Sequence, residues 1–161
     1  MLRLVKNRSQ IDMDQFCCAY EETLSQDGAS PERYFSERDR LYWYLREVFF
    51  NDPEAFCGLW EIQGRCVSVL RMERYRDGFL LSGLETSPDA RGRGFAKSLI
   101  RAVIDSMMER YGSVTIYSHI KKNNSRSIHV HLSCGFIKIT DSARLLDGSF
   151  SSEYCTFLYK K

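Results

Sequence analysis

The sequence lacks the features that mark several specialised protein classes. It has no apolar run long enough to span a membrane, no internal repeat and no low-complexity stretch. Its formal net charge is only +2, which excludes the strongly basic composition of a polyanion-binding protein. We therefore expect neither a membrane nor a nucleic acid among its partners.

The cysteines lack the short paired spacings of a zinc or redox site, although six of them are present. Cys57, Cys66 and Cys155 fall in apolar, strand-like runs, where a reduced thiol packs as a small hydrophobe. We predict free, mostly buried thiols and no bound metal. Residues 1–6 alternate in polarity and lack the continuous apolar core of a secretory signal, so we expect a cytoplasmic protein.

What is present is an ordinary globular composition, with 43% hydrophobic and 27% charged residues. This composition is far from that of a disordered chain. The length of 161 residues suits one domain with a substantial core, and no linker interrupts it. We predict a single domain over residues 1–161.

The N-terminal third is predicted to form one strand and two helices. The strand covers residues 2–6, and a helix begins after Ser9 or Asp12 and ends near Leu24. A second helix follows turn-forming residues at 26–31. Its apolar stripe consists of Leu41, Leu45, Val48 and Phe49. The aromatic residues here exceed what one stripe can bury, so they either pack between helices or line a groove.

The remainder predicts an α/β fold. Strands at 56–62, 66–75 and 79–86, joined by short glycine turns, form an antiparallel meander with room for a bulge. A long amphipathic helix then runs from Phe95 to a stop at Gly112. The last predicted elements are a strand at 114–120, a short helix ending before Gly135, and strands at 136–140 and 153–159. The order is β-α-α-β-β-β-α-β-α-β-β.

The most informative stretch connects the third meander strand to the long helix. It reads Arg91, Gly92, Arg93, Gly94, Phe95, Ala96, and then Lys97. Two glycines let the backbone approach a ligand closely, and the unpaired N–H groups of a helix's first turn attract an anion. Two arginines and a lysine add positive charge. We predict a phosphate-binding loop at 91–96, named here the glycine loop.

Other glycine-rich motifs fit this loop less well. A nucleotide P-loop requires glycines where Arg91 and Ala96 stand, and a dinucleotide fingerprint requires glycine or alanine where Lys97 stands. An RNA-binding Arg-Gly segment is repeated and unstructured, whereas this one occurs once and opens a patterned helix. A plain surface loop is the remaining alternative.

Two motifs together resemble one known family. The glycine loop, after Leu-Glu-Thr-Ser-Pro at 84–88, resembles the acetyl-CoA pyrophosphate signature Arg-x-x-Gly-x-Ala of the GCN5-related N-acetyltransferase (GNAT) superfamily. Residues 124–136 resemble its Asn-x-x-Ala-x-x-x-Tyr-x-x-x-Gly-Phe motif, with Ser127 in place of the alanine. A plain surface loop does not explain why the second motif follows at the expected distance. The element order is also that of the superfamily, so the resemblance covers nearly the whole chain.

The resemblance implies that acetyl-CoA is the acyl donor. It also implies a mixed central sheet of about six or seven strands, in which two parallel strands splay apart so that the pantetheine amides complete the sheet. Backbone groups of Leu84, Glu85 and Thr86 would bind the cofactor and polarise the thioester carbonyl. Asn124 matches the asparagine that caps its helix or contacts the pantetheine arm. The implied cofactor-binding residues are Leu84, Glu85, Thr86, the glycine loop, Lys97, Asn124 and Ser127.

His131 stands where the family usually has a tyrosine that protonates the departing CoA thiolate. A histidine can do the same acid work, since its unperturbed pKa is about 6.5. It can also hydrogen-bond a backbone carbonyl or the CoA sulfur, or serve the structure alone. A base is needed because only a neutral amine is nucleophilic. His119 is one candidate for that base. Glu85 is another, provided that a bulge turns its side chain inward. Deprotonation through water is the third alternative.

The resemblance implies an acetyl-CoA-dependent N-acetyltransferase that acetylates a primary amine of a small molecule or of a protein or peptide, by direct attack on the thioester. The alternative is a catalytically impaired acyl-CoA-binding module that acts as a sensor or partner domain. A homodimer through the final strands is a further expectation. The motifs do not specify the acceptor amine.

Overall fold

A computed structural model describes residues 1–20 and 31–161, apart from the side chains of 31–35. The helices of this part are α1 (Met13–Ala19), α2 (Pro31–Glu47), α3 (Phe95–Tyr111) and α4 (Ser125–Ser133). The strands are β1 (Leu2–Val5), β2 (Phe56–Ile62), β3 (Arg65–Tyr75), β4 (Gly78–Thr86), β5 (Thr115–Lys121), β6 (Ile137–Thr140), β7 (Ala143–Arg144), β8 (Phe150–Ser151) and β9 (Tyr154–Lys160). Short 3-10 turns cover Arg8–Gln10, Phe49–Asn51 and Pro88–Ala90.

A seven-stranded sheet has the order β1-β2-β3-β4-β5-β9-β6, and β7 pairs with β8 in a separate hairpin. Every neighbouring pair in the large sheet is antiparallel except β4 with β5. That parallel pair is short. Residues 79–81 lie opposite 116–118, and the two strands then run on without registered partners. The splay predicted between these strands is therefore present, and we call the gap between them the opening.

Helices cover both faces of the sheet. The α3 face is the surface under α3 and α4, where a core cluster includes Leu70, Met72, Leu81, Leu99, Ile116 and Phe136. The α1 face is the surface under α1 and α2, where a second cluster includes Val5, Phe16, Leu45, Cys57, Leu59 and Val69. Because side chains alternate along a strand, each strand beside the opening presents residues to both faces.

The helix ends follow the expected capping chemistry. The Asp12 side chain accepts hydrogen bonds from two N–H groups of the first turn of α1. The Asn124 side chain does the same for the Ser127 N–H at 3.0 Å. α3 ends at Gly112, whose φ of +74° suits glycine. Its predicted apolar stripe supplies the buried residues Leu99, Ile100, Val103, Ile104 and Met107.

Some predicted boundaries were wrong. α1 ends at Ala19, whereas the predicted end at Leu24 and most of the predicted turn at 26–31 lie outside the described residues. Ser9 lies in a 3-10 turn and caps no α-helix. Val48 is 45% exposed because α2 stops one residue earlier and the chain leaves helical geometry there. The β7–β8 hairpin was not predicted, since each of its strands has only two residues.

The thiols behave as predicted. All six cysteines are free, and five of them are buried. Burial raises the pKa of Cys57 and of Cys66 to about 12, so neither thiol is a reactive thiolate near neutral pH. Among the described residues, no helix has both the length and the apolar character needed to cross a bilayer.

Candidate active site

A β-bulge in β4 shapes one side of the opening. Val69 lies opposite Glu85 and Arg71 lies opposite Ser82, so β4 has one residue more than β3 between these pairs. Within the bulge, Gly83 has a φ of +57°, which glycine adopts without strain. The bulge on which the predicted orientation of Glu85 depended is therefore present.

The bulge sends Glu85 to the α1 face. Its partner Val69 is fully buried in the cluster beneath α1, and directly paired residues point to the same side of a sheet. Burial raises the pKa of Tyr20, and the negative charge of Glu85 contributes to that rise, so the carboxylate lies near the Tyr20 phenol. Glu85 itself is half-buried.

His119 occupies the other side of the opening, on β5 beyond the last residue paired with β4. Its Nδ1 lies 3.2 Å from the Thr156 hydroxyl, and that hydroxyl donates its own hydrogen to the Ser142 carbonyl at 2.7 Å. The Thr156 oxygen must therefore accept a hydrogen from His119 Nδ1. This arrangement leaves Nε2 as the ring nitrogen of His119 that carries a lone pair and no hydrogen.

The environment of His119 favours the neutral ring. Burial lowers its pKa and the charge of Arg76 lowers it further, although the Arg144 carbonyl opposes both. Its Nε2 is buried, and it has no hydrogen-bond partner among the described residues. The ring also packs edge-on against Tyr75 at 5.3 Å between centroids. His119 thus presents an unprotonated nitrogen at neutral pH.

His131 lies on the α3 face and is only 1% exposed. Its Nδ1 is 2.8 Å from the Ser127 carbonyl, to which it donates, and its Nε2 is 3.1 Å from the Ser118 hydroxyl. Burial lowers the pKa of His131, so the ring is neutral and its Nε2 accepts from Ser118. Ser118 is the β5 residue opposite Leu81 in the last β4–β5 pair, at the vertex of the opening.

The three predicted catalytic residues therefore do not share one face. His119 and Glu85 lie on the α1 face, on opposite sides of the opening. His131 lies on the α3 face and reaches the vertex only through the Ser118 hydroxyl. The sheet therefore separates the His131 ring from the other two side chains.

The glycine loop has the geometry of an anion site. Gly92 and Gly94 have φ values of +73° and +82°, and a Cβ at either position would meet nothing within 4 Å. These glycines are needed for the backbone conformation, and the space in front of them is open. α3 begins at Gly94 without a side-chain cap, and its first intrahelical bond joins Ser98 N to Gly94 O at 2.9 Å. The preceding N–H groups of the first turn point out of the helix end.

Side chains fix this loop to the end of β4. Arg91 Nε donates to the Thr86 carbonyl at 3.1 Å, and Arg65 pairs with Asp89 through two contacts of 2.6 and 3.2 Å. Arg93 is exposed and Lys97 is half-buried at the start of α3. One predicted phosphate ligand thus ties the loop to the strand, while the others supply charge around it.

The predicted backbone site at 84–86 lies on the unpaired edge of β4. These residues come after the last pair with β5, so the groups that face the opening have no strand partner there. On the other edge, the Ser68 hydroxyl donates to the Glu85 carbonyl at 2.8 Å. Asn124 uses its side-chain oxygen to cap α4, which is one of the two roles that the resemblance implied.

The sequence reasoning missed a polar cluster on the α1 face beside the bulge. We call it the Arg71 cluster, and it consists of Tyr20, Tyr44, Arg71, Glu73 and Ser82. The Arg71 guanidinium lies over the Tyr44 ring at 5.2 Å from its centroid, and the Ser82 hydroxyl donates to Glu73 at 3.4 Å. Burial raises the pKa of Glu73. The alternating polarity of β3 did not indicate this cluster, because a strand with one solvent-facing side also has a polar residue at every second position.

Comparison with known proteins identifies the family. A family model described as the Acetyltransferase (GNAT) family matches residues 18–136. Spermidine N(1)-acetyltransferase of Vibrio cholerae serotype O1 is 31% identical over 52 residues, which are 32% of this chain. The aligned segment spans 30% of that relative's length.

Solved structures share the fold over the whole chain. PaiA N-acetyltransferase from Thermoplasma acidophilum, in complex with coenzyme A, gives a TM-score of 0.68 at 12% identity, covering 100% of this chain and 99% of that one. The ribosomal-protein-S18-alanine N-acetyltransferase of Escherichia coli gives 0.62 at 15% identity, covering 99% and 94%. Campylobacter jejuni N-acetyltransferase PseH, in complex with acetyl coenzyme A, gives 0.62 at 14% identity, covering 100% and 99%. The predicted fold is confirmed.

Proposed function

This chain belongs to the acetyltransferase (GNAT) family, and from that premise we propose that it transfers an acetyl group from acetyl-CoA to a primary amine, by direct attack of the amine on the thioester carbon. The observation that carries the proposal is the opening, where β4 and β5 pair over only three residues and then separate. The glycine loop follows β4 directly, so a phosphate site and an unpaired strand edge are adjacent.

The donor fits the residues on both sides of the opening. The backbone at 84–86 would hydrogen-bond the pantetheine arm as an added strand, because its edge toward β5 has no strand partner. The glycine loop, with Arg93 and Lys97, would hold the pyrophosphate, since the space before Gly92 and Gly94 is open. Asn124 and Ser127 would contribute by fixing the start of α4.

We assign the base role to His119. Thr156 holds its Nδ1 proton, and the lowered pKa keeps the ring neutral at physiological pH, so Nε2 would accept a proton from the ammonium group of the acceptor, and the resulting neutral amine would then attack. Glu85 lies on the same face and is the second candidate. Deprotonation through water is the third, and it predicts that neither side chain is essential.

His131 is proposed to act through Ser118. The neutral ring has no hydrogen on Nε2 to give, because its proton is on Nδ1. To act as an acid, the ring would first take a proton from solvent. Nε2–H of this imidazolium would then donate to the Ser118 oxygen while the Ser118 hydrogen passes to the departing thiolate, which returns the ring to its neutral form. Ser118 stands at the vertex, whereas the His131 ring is covered. In this scheme the Ser118 hydroxyl relays the proton to the thiolate, because the His131 side chain is shorter than the usual tyrosine and does not extend to it.

The hydrogen bonds of His131 also support a second candidate function, an acyl-CoA-binding module without turnover. Both nitrogens of His131 already have hydrogen-bond partners, which is the pattern of a structural histidine. With no acid at the vertex, the chain would bind acyl-CoA without turnover and serve as a sensor or partner domain. The two functions differ in turnover and share CoA binding.

The experiment is a thiol-release assay with acetyl-CoA and a broad amine panel, run beside calorimetric titration of CoA. The panel includes amino acids, peptides with free N-termini and polyamines, since spermidine is the acceptor in the name of the Vibrio cholerae relative. CoA binding with amine-dependent thiol release supports transfer. CoA binding without release across the panel supports the binding module.

We also propose a homodimer through the exposed edge of the sheet. β6 pairs only with β9, and its residues Ile137 and Ile139 are 62% and 41% exposed. Light scattering measures the oligomeric state. A dimer that Ile137→Lys converts to a monomer supports this edge as the interface, and a monomeric wild type contradicts it.

A further inference from the structure

The Arg71 cluster lies beside the opening, on the face opposite α3. Arg71 pairs with Ser82, which is the first β4 residue beyond the last β4–β5 pair. Its side chain therefore leaves the sheet on the α1 face, level with the vertex. Glu85 and His119 are presented on the same face. The cluster thus belongs to the side from which an acceptor would reach the opening.

The Arg71 guanidinium forms no ion pair with a carboxylate of the described residues, and Glu73 acts on it through its charge without a direct contact. The Nε of Arg71 is buried, and it has no hydrogen-bond partner among the described residues. Within residues 1–20 and 36–161, no carboxylate lies within the 4.0 Å of an ion pair with it. A guanidinium stays charged at any physiological pH and has five N–H donors in a planar fork. A buried charge of this kind is costly unless an anion pairs with it.

The neighbouring groups hold the guanidinium without neutralising it. The Tyr44 ring lies beneath it at 5.2 Å, which is a cation–π contact. Glu73 is two residues along on the same face, and its carboxylate accepts from Ser82; burial raises its pKa, while the charge of Arg71 opposes that rise without an ion-pair contact. The Tyr20 hydroxyl donates to the Gly83 carbonyl at 2.7 Å. Arg71 Nε therefore lacks an acceptor among the described residues, and a ligand carboxylate would supply one.

Gly83 brings this cation against the backbone of the opening. A Cβ on Gly83 would lie 2.6 Å from Arg71 Nε, 2.8 Å from Arg71 Nη2 and 2.7 Å from the Tyr20 hydroxyl. A side chain at this position would therefore have to displace the guanidinium or the Tyr20 hydroxyl. The bulge thus places a fixed positive charge next to the strand segment that we assign to the thioester.

We propose that Arg71 binds a carboxylate of the acceptor, and that the acceptor class is the free α-amino acid. This inference rests on the proposed acetyl transfer. The guanidinium fork matches a carboxylate through two parallel hydrogen bonds. The carboxylates of Glu73 and Glu85 on the same face attract the ammonium group of the same ligand. A polyamine has no anion for Arg71, and it would add positive charge beside a buried cation.

The test compares matched acceptors in the thiol-release assay. L-alanine, L-leucine and L-phenylalanine are paired with ethylamine, isoamylamine and phenethylamine, which lack the carboxylate, and spermidine is included. We expect at least one amino acid to exceed its paired amine in kcat/KM by about tenfold or more, the usual effect of a hydrogen-bonded charged group. Arg71→Gln should raise the KM of that amino acid by about tenfold, leave kcat nearly unchanged and leave the paired amine unaffected.

Two further variants control for the fold and for general charge. Arg71→Lys keeps the charge and loses the fork, so it should recover only part of the amino-acid preference. Arg74→Gln removes a cation from the other face of the same strand, where Arg74 lies over Phe79 at 4.9 Å, and should change neither acceptor. Thermal unfolding of each variant checks that it folds.

The outcomes separate this inference from the proposed transfer. A wild type that prefers the decarboxylated amines or spermidine overturns the inference and keeps acetyl transfer. An Arg71→Gln variant that loses rate equally with both acceptor types overturns it as well. If no amine is acetylated, calorimetric titration of the amino acids with CoA present decides the matter. Binding to the wild type and not to Arg71→Gln supports the carboxylate site, and no binding to either contradicts it.

Discussion

The two faces of the sheet at the opening carry different chemical groups. On the α3 face, the glycine loop and the strand edge at 84–86 present backbone groups, and His131 is buried and neutral. On the α1 face, Arg71, Glu73, Glu85 and His119 present charged or titratable side chains around aromatic rings. An unpaired strand edge suits an extended ligand that adds to the sheet, and charged side chains suit recognition of a polar acceptor. We therefore assign the donor to the first side and specificity to the second.

The largest expected effect is the loss of the base on the α1 face. His119→Ala removes Nε2 and should lower turnover by roughly 10²–10⁴-fold, the usual contribution of a positioned acid or base. CoA affinity should stay unchanged because the donor side is intact. The measurement is kcat at saturating acetyl-CoA, with CoA affinity from calorimetry. His129→Ala, at an exposed position of α4, is the matched control. Full activity in His119→Ala would remove this residue from the mechanism.

A smaller effect is expected at the vertex, where the two faces meet. His131→Phe and Ser118→Ala should each lower turnover by about tenfold or more and change CoA affinity less. Because His131 is proposed to act through Ser118, the double variant should be no slower than the slower single variant. Additive losses would show that the two residues act separately. Unchanged turnover in His131→Phe would leave the ring a structural role only.

A third prediction isolates the donor side. Gly94→Ala should weaken CoA binding by about tenfold, because an alanine at a φ of +82° distorts the first turn that holds the phosphates. Turnover at saturating acetyl-CoA should change little. Gly64→Ala is the matched control, since Gly64 has a φ of +78° and equally open space in the β2–β3 turn. Equal CoA affinities in both variants would contradict the assignment of the loop.

The donor side could be predicted from the sequence because its parts are contiguous. The glycine loop needs only two glycines with positive φ before a helix, and Asn124 caps the helix that directly follows it. The bulge near the end of β4 was anticipated from the resemblance alone, without its position at Gly83. Short-range backbone rules settle the loop and the cap without knowledge of the packing.

The acceptor side could not be predicted in this way. Arg71 matters because Tyr44 from α2 packs under it and because Gly83 from β4 leaves room for it. These contacts join three separate segments, and an alternating strand pattern does not reveal them. Val48 failed for a different reason: the helix ends at Glu47, so Val48 turns outward while its stripe neighbours Leu45 and Phe49 are buried. His119 was found only because the resemblance indicated its position.

The smallest expected effect concerns stability and pH. Burial lowers the pKa values of His119 and His131 below the unfolded value of about 6.5, so the unfolded chain binds protons more readily. The contribution of these two histidines to the free energy of unfolding should therefore be complete above pH 6.5 and decrease as the pH drops below that value. Urea unfolding at pH 7.5 and 5.5 measures this loss, about 1 kcal/mol or more for the wild type. His131→Phe should lose less stability between these two pH values, and an equal loss in both proteins would contradict a buried neutral His131.

The most direct test of the central claim is mass spectrometry of the acceptor after incubation with acetyl-CoA and the α-amino acids. We expect an N-acetylated amino acid formed in a one-to-one ratio with released CoA thiol. We also expect His119→Ala to abolish most of this product while CoA still binds. Bound acetyl-CoA with no acetylated amine from any member of the panel, and thiol release no faster than hydrolysis, would contradict the claim.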